Sequence, residues 1–282
     1  MNIRDIKIKA RSVLKDHNNI IFVFIFISVI TTVIDYLGQT LNVTIPFISL
    51  LVSIIMLPFS HGNVVTALKA VNERGDEVTI ENEGLTGFKR FKELFFTYFI
   101  QIAFLIVLVL LATLILFFIA KITIDENVFD NLGLLLTQSN LYTSDLTAVV
   151  EDPAFIEIAG ALGGFITIEF AAILIIAVLY SLTFALTPYV LEKYKIYGAK
   201  AMSESARLMK RYKGTLFVLY LSYLGWFLLT IIITAIIQVF LPVTLVSDLL
   251  VAVIMVYLFS AEMQICLAVL FEEIDLEDKN II

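Results

Sequence analysis

Carboxylates stand inside or at the edges of long apolar runs, among them Asp35, Glu169 and Glu262. An acid in such a setting is costly and marks an ion path, a proton relay or a bound partner. Depth decides which applies. Asp35 lies near the far end of the first apolar run. Glu169 stands 19 residues before Pro188, roughly 28 Å along a helix at 1.5 Å per residue. Both are expected near the outer edge of a bilayer. Glu262 follows Leu258 by four residues, as Glu192 follows Pro188, and is expected at the inner edge. No acid reaches the midplane, where coupled carriers hold their ions. Asp35 and Glu169 are candidates for an outward vestibule or partner site, against the plainer reading of interfacial snorkelling.

Other chemistry-bearing types are sparse. The two histidines, His17 and His61, lack metal-ligand spacing. The single Cys266 has no basic neighbour in the sequence to favour a thiolate. Neither a Gly-x-Ser-x-Gly elbow nor a phosphate-binding loop occurs. The chain is expected not to be an enzyme and to need no metal or cofactor.

The elements that carry these residues follow from composition. Of 282 residues, 60% are hydrophobic and 16% charged, with mean hydropathy +0.97. A soluble domain has about 45–50% apolar and about 25% charged residues. A soluble enzyme, a disordered chain and a nucleic-acid binder are excluded. About 20 apolar residues cross a bilayer, and six such runs occur, at 19–37, 43–62, 94–120, 166–191, 215–240 and 243–262. The expected fold is all-α: a polytopic membrane protein in a single integral membrane domain, 1–282. The first run is too long for a signal-peptide core and is expected to stay as an anchor.

Charge sets orientation. Eighteen of the 19 Lys and Arg residues fall before span one, between spans two and three or four and five, or after span six; only Lys121 falls elsewhere. The positive-inside rule then puts both termini in the cytoplasm. Residues 121–157 become an acidic extracytoplasmic segment, carrying Asp145, Glu151 and Asp152 among its acids. Its field would attract a protein or cationic peptide. Residues 272–282 read as an acidic, solvated cytoplasmic tail. Residues 1–18 and 193–213 read as cytoplasmic amphipathic helices. The first has Ile3, Ile6, Ala10, Val13 and Leu14 on one face; the second has Ala199, Met202, Ala206 and Met209. Their bases Arg4, Lys7, Arg11, Lys200, Arg207, Lys210, Arg211 and Lys213 are candidate contacts for anionic inner-leaflet lipid headgroups.

An internal repeat is also legible. Leu14-Lys15-Asp16-His17, Phe88-Lys89-Arg90-Phe91 and Met209-Lys210-Arg211-Tyr212 each precede an apolar run containing Phe. Three returning spans end alike, at Pro58-Phe59, Pro188-Tyr189 and Leu258-Phe259. Three parallel helical hairpins are expected, each preceded by a cytoplasmic amphipathic segment and bent at its end by proline. A basic interface alone would also impose part of this pattern.

Thr187-Pro188-Tyr189-Val190-Leu191, Ala201, Ser205, Leu208-Met209-Lys210-Arg211-Tyr212-Lys213 and Leu221-Ser222-Tyr223-Leu224-Gly225-Trp226 carry a resemblance. So do Ile6, Ala10, Arg11, Leu14 and Phe271-Glu272. Together they resemble the integral membrane family catalogued as domain of unknown function nine-seven-five, found mainly in Gram-positive bacteria. That family looks distantly similar to the membrane domain of some glycerophosphodiester phosphodiesterases. The chain departs from its pattern at Arg211, where glycine is usual, and at Leu258-Phe259, where Pro-Tyr is usual. The resemblance implies a six-helix bacterial membrane protein in which 121–157 is an insertion, and implies no activity. The expected function is non-enzymatic binding or regulation of a partner at the cell envelope: a stress factor, a peptide-immunity protein or an exporter accessory. The alternative is a transporter or lipid-handling carrier with a cavity inside the bundle.

Overall fold

The computed structural model describes residues 2–42, 48–123, 153–241 and 243–281, and among them there is no strand. Among the described residues six helices are long and apolar enough to cross a membrane: Asn18–Leu41, Ile48–Asn72, Phe91–Thr123, Gly163–Tyr194, Lys213–Phe240 and Thr244–Lys279. The expected six spans are all present. The acidic candidates Asp145, Glu151 and Asp152 lie outside the described residues.

In chain order the helices are α1 (Ile3–Asp16), α2 (Asn18–Asn42), α3 (Ile48–Lys69), α4 (Thr86–Lys89), α5 (Phe91–Thr123) and α6 (Pro153–Phe184). They continue with α7 (Thr187–Tyr194), α8 (Ala199–Met209), α9 (Lys213–Leu221), α10 (Leu224–Phe240), α11 (Thr244–Met255) and α12 (Ala261–Ile281). The chain divides into two units, Met1–Gln101 with Leu182–Ile282, and Ile102–Ser181.

In the first unit the apolar core gathers at the ends of the spans nearest the termini. Helix α2 buries Ile20, Val23, Phe24 and Ile27 in its first turns; α3 buries Phe59, Val64, Ala67 and Leu68 in its last. The three aromatics that end the returning spans, Phe59, Tyr189 and Phe259, all enter this core. Further from it, apolar side chains lie open; α10 buries none of its residues. Hydrocarbon solvates such a face as well as a protein does, so leaving it open incurs no hydrophobic penalty in a bilayer.

Proline acts differently at the two sites. Pro58 lies inside α3, which runs on to Lys69 instead of turning. Gly87 of α4 presses against it: a Cβ there would stand 2.1 Å from the Pro58 carbonyl oxygen. Phe59 and Phe88 meet edge to face beside that contact, 4.9 Å between centroids. At the second site the chain breaks before α7, and Pro188 occupies its first turn, where a missing N–H leaves no helical bond unmade. The third site replaces proline with a π-helical turn at Val256–Ser260.

The acidic C-terminal stretch departs most from expectation. Residues 261–281 are one helix, α12, with Ile265, Ala268, Phe271, Ile274 and Asp275 essentially inaccessible. An apolar stripe at three-residue spacing draws the helix into the core, and its acids follow. The amphipathic faces also pack on protein. Ile6 and Ala10 of α1 join the core. Helix α8 buries Ala201, Met202, Ser205, Leu208 and Met209, so its buried face is rotated from the expected one, and Ala199 is exposed.

In the second unit, Thr113 Oγ1 donates to Glu169 Oε1 at 2.9 Å, and Phe104 and Tyr180 stand 6.2 Å apart. The 18 most apolar consecutive residues of Phe91–Thr123 are all unburied. The Gly160 and Gly164 pair, a spacing that permits close helix approach, lies within continuous helix α6 and faces open space.

Candidate functional site

Polar chemistry converges on α12. Each of its acids holds a partner, most from another element. Arg11 Nε of α1 donates to Glu262 Oε2 at 2.9 Å, and the buried Tyr223 hydroxyl donates to Glu262 Oε1 at 2.8 Å. Lys9 Nζ reaches Glu273 Oε1 at 2.5 Å. Lys193 of α7 bonds Glu272 and stands 2.7 Å from Asp275 Oδ2, which also accepts from Lys279, while Asp275 Oδ1 accepts from the Tyr194 hydroxyl. Arg207 of α8 grips Asp278 with two parallel bonds, Nη1 to Oδ1 at 2.8 Å and Nη2 to Oδ2 at 2.7 Å. The Tyr212 hydroxyl bonds Glu277. Such pairing stabilises the charged guanidinium and the neutral phenol. Glu262 therefore raises the pKa of Arg11, Glu204 and Asp278 raise that of Arg207, and Glu277 raises that of Tyr212.

A second network joins α3, α5 and α7. His61 is fully buried, with Nε2 3.1 Å from Glu192 Oε2. Arg90 Nη1 donates to the same oxygen at 2.7 Å and to the Leu191 carbonyl at 3.2 Å. Its Nε reaches Glu93 Oε2 at 2.8 Å, and Lys195 Nζ reaches Glu192 Oε1 at 2.5 Å. The His61 Nδ1 is buried with no hydrogen-bond partner among the described residues.

Two clefts of about 600 Å³ each share Asn72 and Glu272 in their walls. One carries Lys69, Arg74 and Lys193 beside Glu192; the other carries Lys9, Asp16, His17 and Glu273. Both are of ligand size. With charges of both signs, their chemistry is ion pairing and recognition of a charged group.

The residues singled out in the sequence distribute as follows. Asp35 accepts from Gln39 at 2.8 Å and lines a notch of about 140 Å³ with Ser49 and Ser53. Glu169 has its own local partner in Thr113. Of the basic candidates, Arg11 and Arg207 are held by acids of α12, and Lys7 sits 3.9 Å over the Tyr223 ring. Arg4 is exposed in the first turn of α1. Lys210 and Arg211 line a cavity of about 190 Å³ with Arg207 and Tyr212, and Lys213 opens α9. Lys200 lines a further cleft against α5. The pairing of the α12 acids beyond Glu262 and the His61–Arg90–Glu192 group escaped the sequence reading. The apolar spacing Ile265, Ala268, Phe271, Ile274 was the available signal for the first; the second had none.

The family model described as Protein of unknown function (DUF975) matches residues 1–274. The chain belongs to this family. The match takes in both polar networks except for the last turns of α12, so they lie within the family's own region. No curated protein and no solved structure matches the chain.

Proposed function

We propose that this family member acts without catalysis, as a multi-pass protein of the bacterial cytoplasmic membrane that binds or regulates a partner at the cell envelope. The observation that carries this reading is the saturation of polar groups around α12. Glu262, Glu272, Asp275 and Asp278 each secure a base of the same unit. They hold elements together around an apolar core, and Glu272, which also lines both clefts, is itself tied to Lys193. The basic residues sort to one side of the spans in sequence, which supports cytoplasmic termini. The acidic stretch 121–157 then supplies an outward charge for a cationic protein or peptide.

Crosslinking in native membranes followed by mass spectrometry tests the reading. A reproducible protein or peptide attached through 121–157 supports it; a stoichiometric metabolite with no protein overturns it. Orientation is read from Lys279→Cys and Asp145→Cys in a Cys266→Ser background. An impermeant thiol reagent applied to intact cells is expected to label only the second. A lipid-handling carrier is the second reading. The two clefts around Asn72 and Glu272 favour it, although carriers hold substrate near the midplane.

A further inference from the structure

The segment linking α7 to α8 is built against α5 in an unusual way. Lys195 has φ 57° and Gly198 has φ 65°, the positive-φ residues among those described. Between them stand Ile196 and Tyr197. The Gly198 N–H donates to Thr97 Oγ1 at 2.8 Å in a buried setting, which pins the link to the side of α5. A side chain at 198 would be strained at that φ, and its Cβ would crowd Phe96 at 3.0 Å. Glycine lets the backbone lie this close. Tyr197 is half-exposed and meets the Phe96 ring edge-on, 6.3 Å between centroids.

The result is a cleft of about 420 Å³ whose walls are Phe96, Ile100, Ile196 and Tyr197, with Lys195 and Lys200 on its lining. Phe96 and Ile100 belong to the span Phe91–Thr123. Ile100 stands nine residues past Phe91, about 14 Å along the helix and so at the depth of acyl chains. The two lysines come from the link and the first turn of α8, outside that span. The cleft thus has an apolar floor in the hydrocarbon and cations at its mouth. An aromatic ring with a polar tip stands between, the position such rings prefer at a membrane interface. The uncapped amides that open α8 add to the positive field at Lys200.

We propose that this cleft holds one anionic phospholipid, with its phosphate on Lys200 beside Lys195, whose ammonium also holds Glu192, and an acyl chain along Phe96 and Ile100. Charge complementarity and the layering of polar over apolar surface select a lipid over a soluble anion, for which Phe96 and Ile100 have no use. The site is distinct from diffuse attraction of basic helices to a charged surface, because it has a shape and a depth. It does not depend on the partner-binding reading above.

Native mass spectrometry of the full-length protein in detergent, titrated with phosphatidylglycerol or phosphatidylcholine, tests the proposal. One phosphatidylglycerol is expected to remain bound in preference to phosphatidylcholine. Lys200→Gln should weaken it roughly fivefold, the factor one lysine contributes near an anionic surface. Lys89→Gln, at an exposed base elsewhere on the same unit, should leave it unchanged. Equal losses in the two variants would reduce the effect to general charge and overturn the site. Competition by inorganic phosphate at similar concentration would do the same, since a headgroup alone would then suffice. A phosphatidylglycerol with a photoreactive acyl chain gives an independent reading on the unaltered protein. Crosslinks mapping to residues 96–100 and 196–197 support the cleft; crosslinks spread over other spans refute it.

Discussion

Helices α10 and α12 invert the usual relation between composition and burial. Helix α10, Leu224–Phe240, contains no charged residue, yet none of its side chains is buried. Helix α12, Ala261–Ile281, carries the chain's acidic run, yet Ile265, Leu270, Phe271 and even Asp275 are inaccessible. Water would enforce the opposite order. In a bilayer, lipid already solvates an apolar helix, so hydrophobicity gives α10 no reason to be covered by protein. What draws helices together is close packing and polar pairing, and α12 supplies both. Protein burial in this molecule marks where charges meet, whereas apolar length marks where lipid lies.

The largest effect that would break this comparison is a truncation in each helix. Phe271→Ala is expected to cost about 3–5 kcal/mol, the usual loss for a fully buried ring. Ile231→Ala, at a side chain 66% exposed, should stay within about 0.5 kcal/mol. Denaturant unfolding in micelles measures both, and a comparable cost at Ile231 would refute the inversion. Next comes Glu192→Ala, which takes the acceptor from the buried His61 and one of the two acids from Arg90. About 3 kcal/mol is expected to be lost in the same unfolding measurement.

Asp275→Asn sharpens the comparison by removing charge without removing shape. Lys193, Lys279 and Tyr194 each lose a charged acceptor. A loss of about 2 kcal/mol is expected, in line with hydrogen bonds to charged groups. Glu169→Gln, in the second unit, should cost less because its partner is a neutral hydroxyl. The smallest effect belongs to Lys9→Ala. Its side chain is 60% exposed in the pair with Glu273, so less than about 1 kcal/mol is at stake. Added salt should erase even that difference.

The spans were legible because each is a long apolar run, and length against bilayer thickness is a one-dimensional test. The break before Pro188 was legible too, since proline belongs in a first helical turn. Pro58 was misread for a reason outside its neighbourhood: α4 folds back onto it through Gly87, a contact no local pattern encodes. The acids at 272–278 were read as a solvated tail because they cluster in sequence. The spacing from Ile265 to Ile274 shows instead a helix with a face to bury. Their partners were illegible altogether. Arg11 and Glu262 stand 251 residues apart, and Lys9 and Glu273 stand 264 apart. The same holds for His61 and Glu192, 131 residues apart. Residue types announce such pairs only after the fold has brought them together.

The distance between Arg11 and Glu262 also fixes an order of events during synthesis. A ribosome adding about 5–20 residues per second needs roughly 10–50 s to pass from one to the other. Throughout that interval Lys9, Arg11 and, later, Lys193 and Arg207 have no acid from α12 to neutralise them. The nascent chain is therefore more positive around α1 than the folded protein, at the time its earlier helices form. Once 261–281 emerge, the same bases are taken up by Glu273, Glu262, Asp275 and Asp278. Helix α12 thus closes a charge difference that the growing chain carries and the folded protein does not.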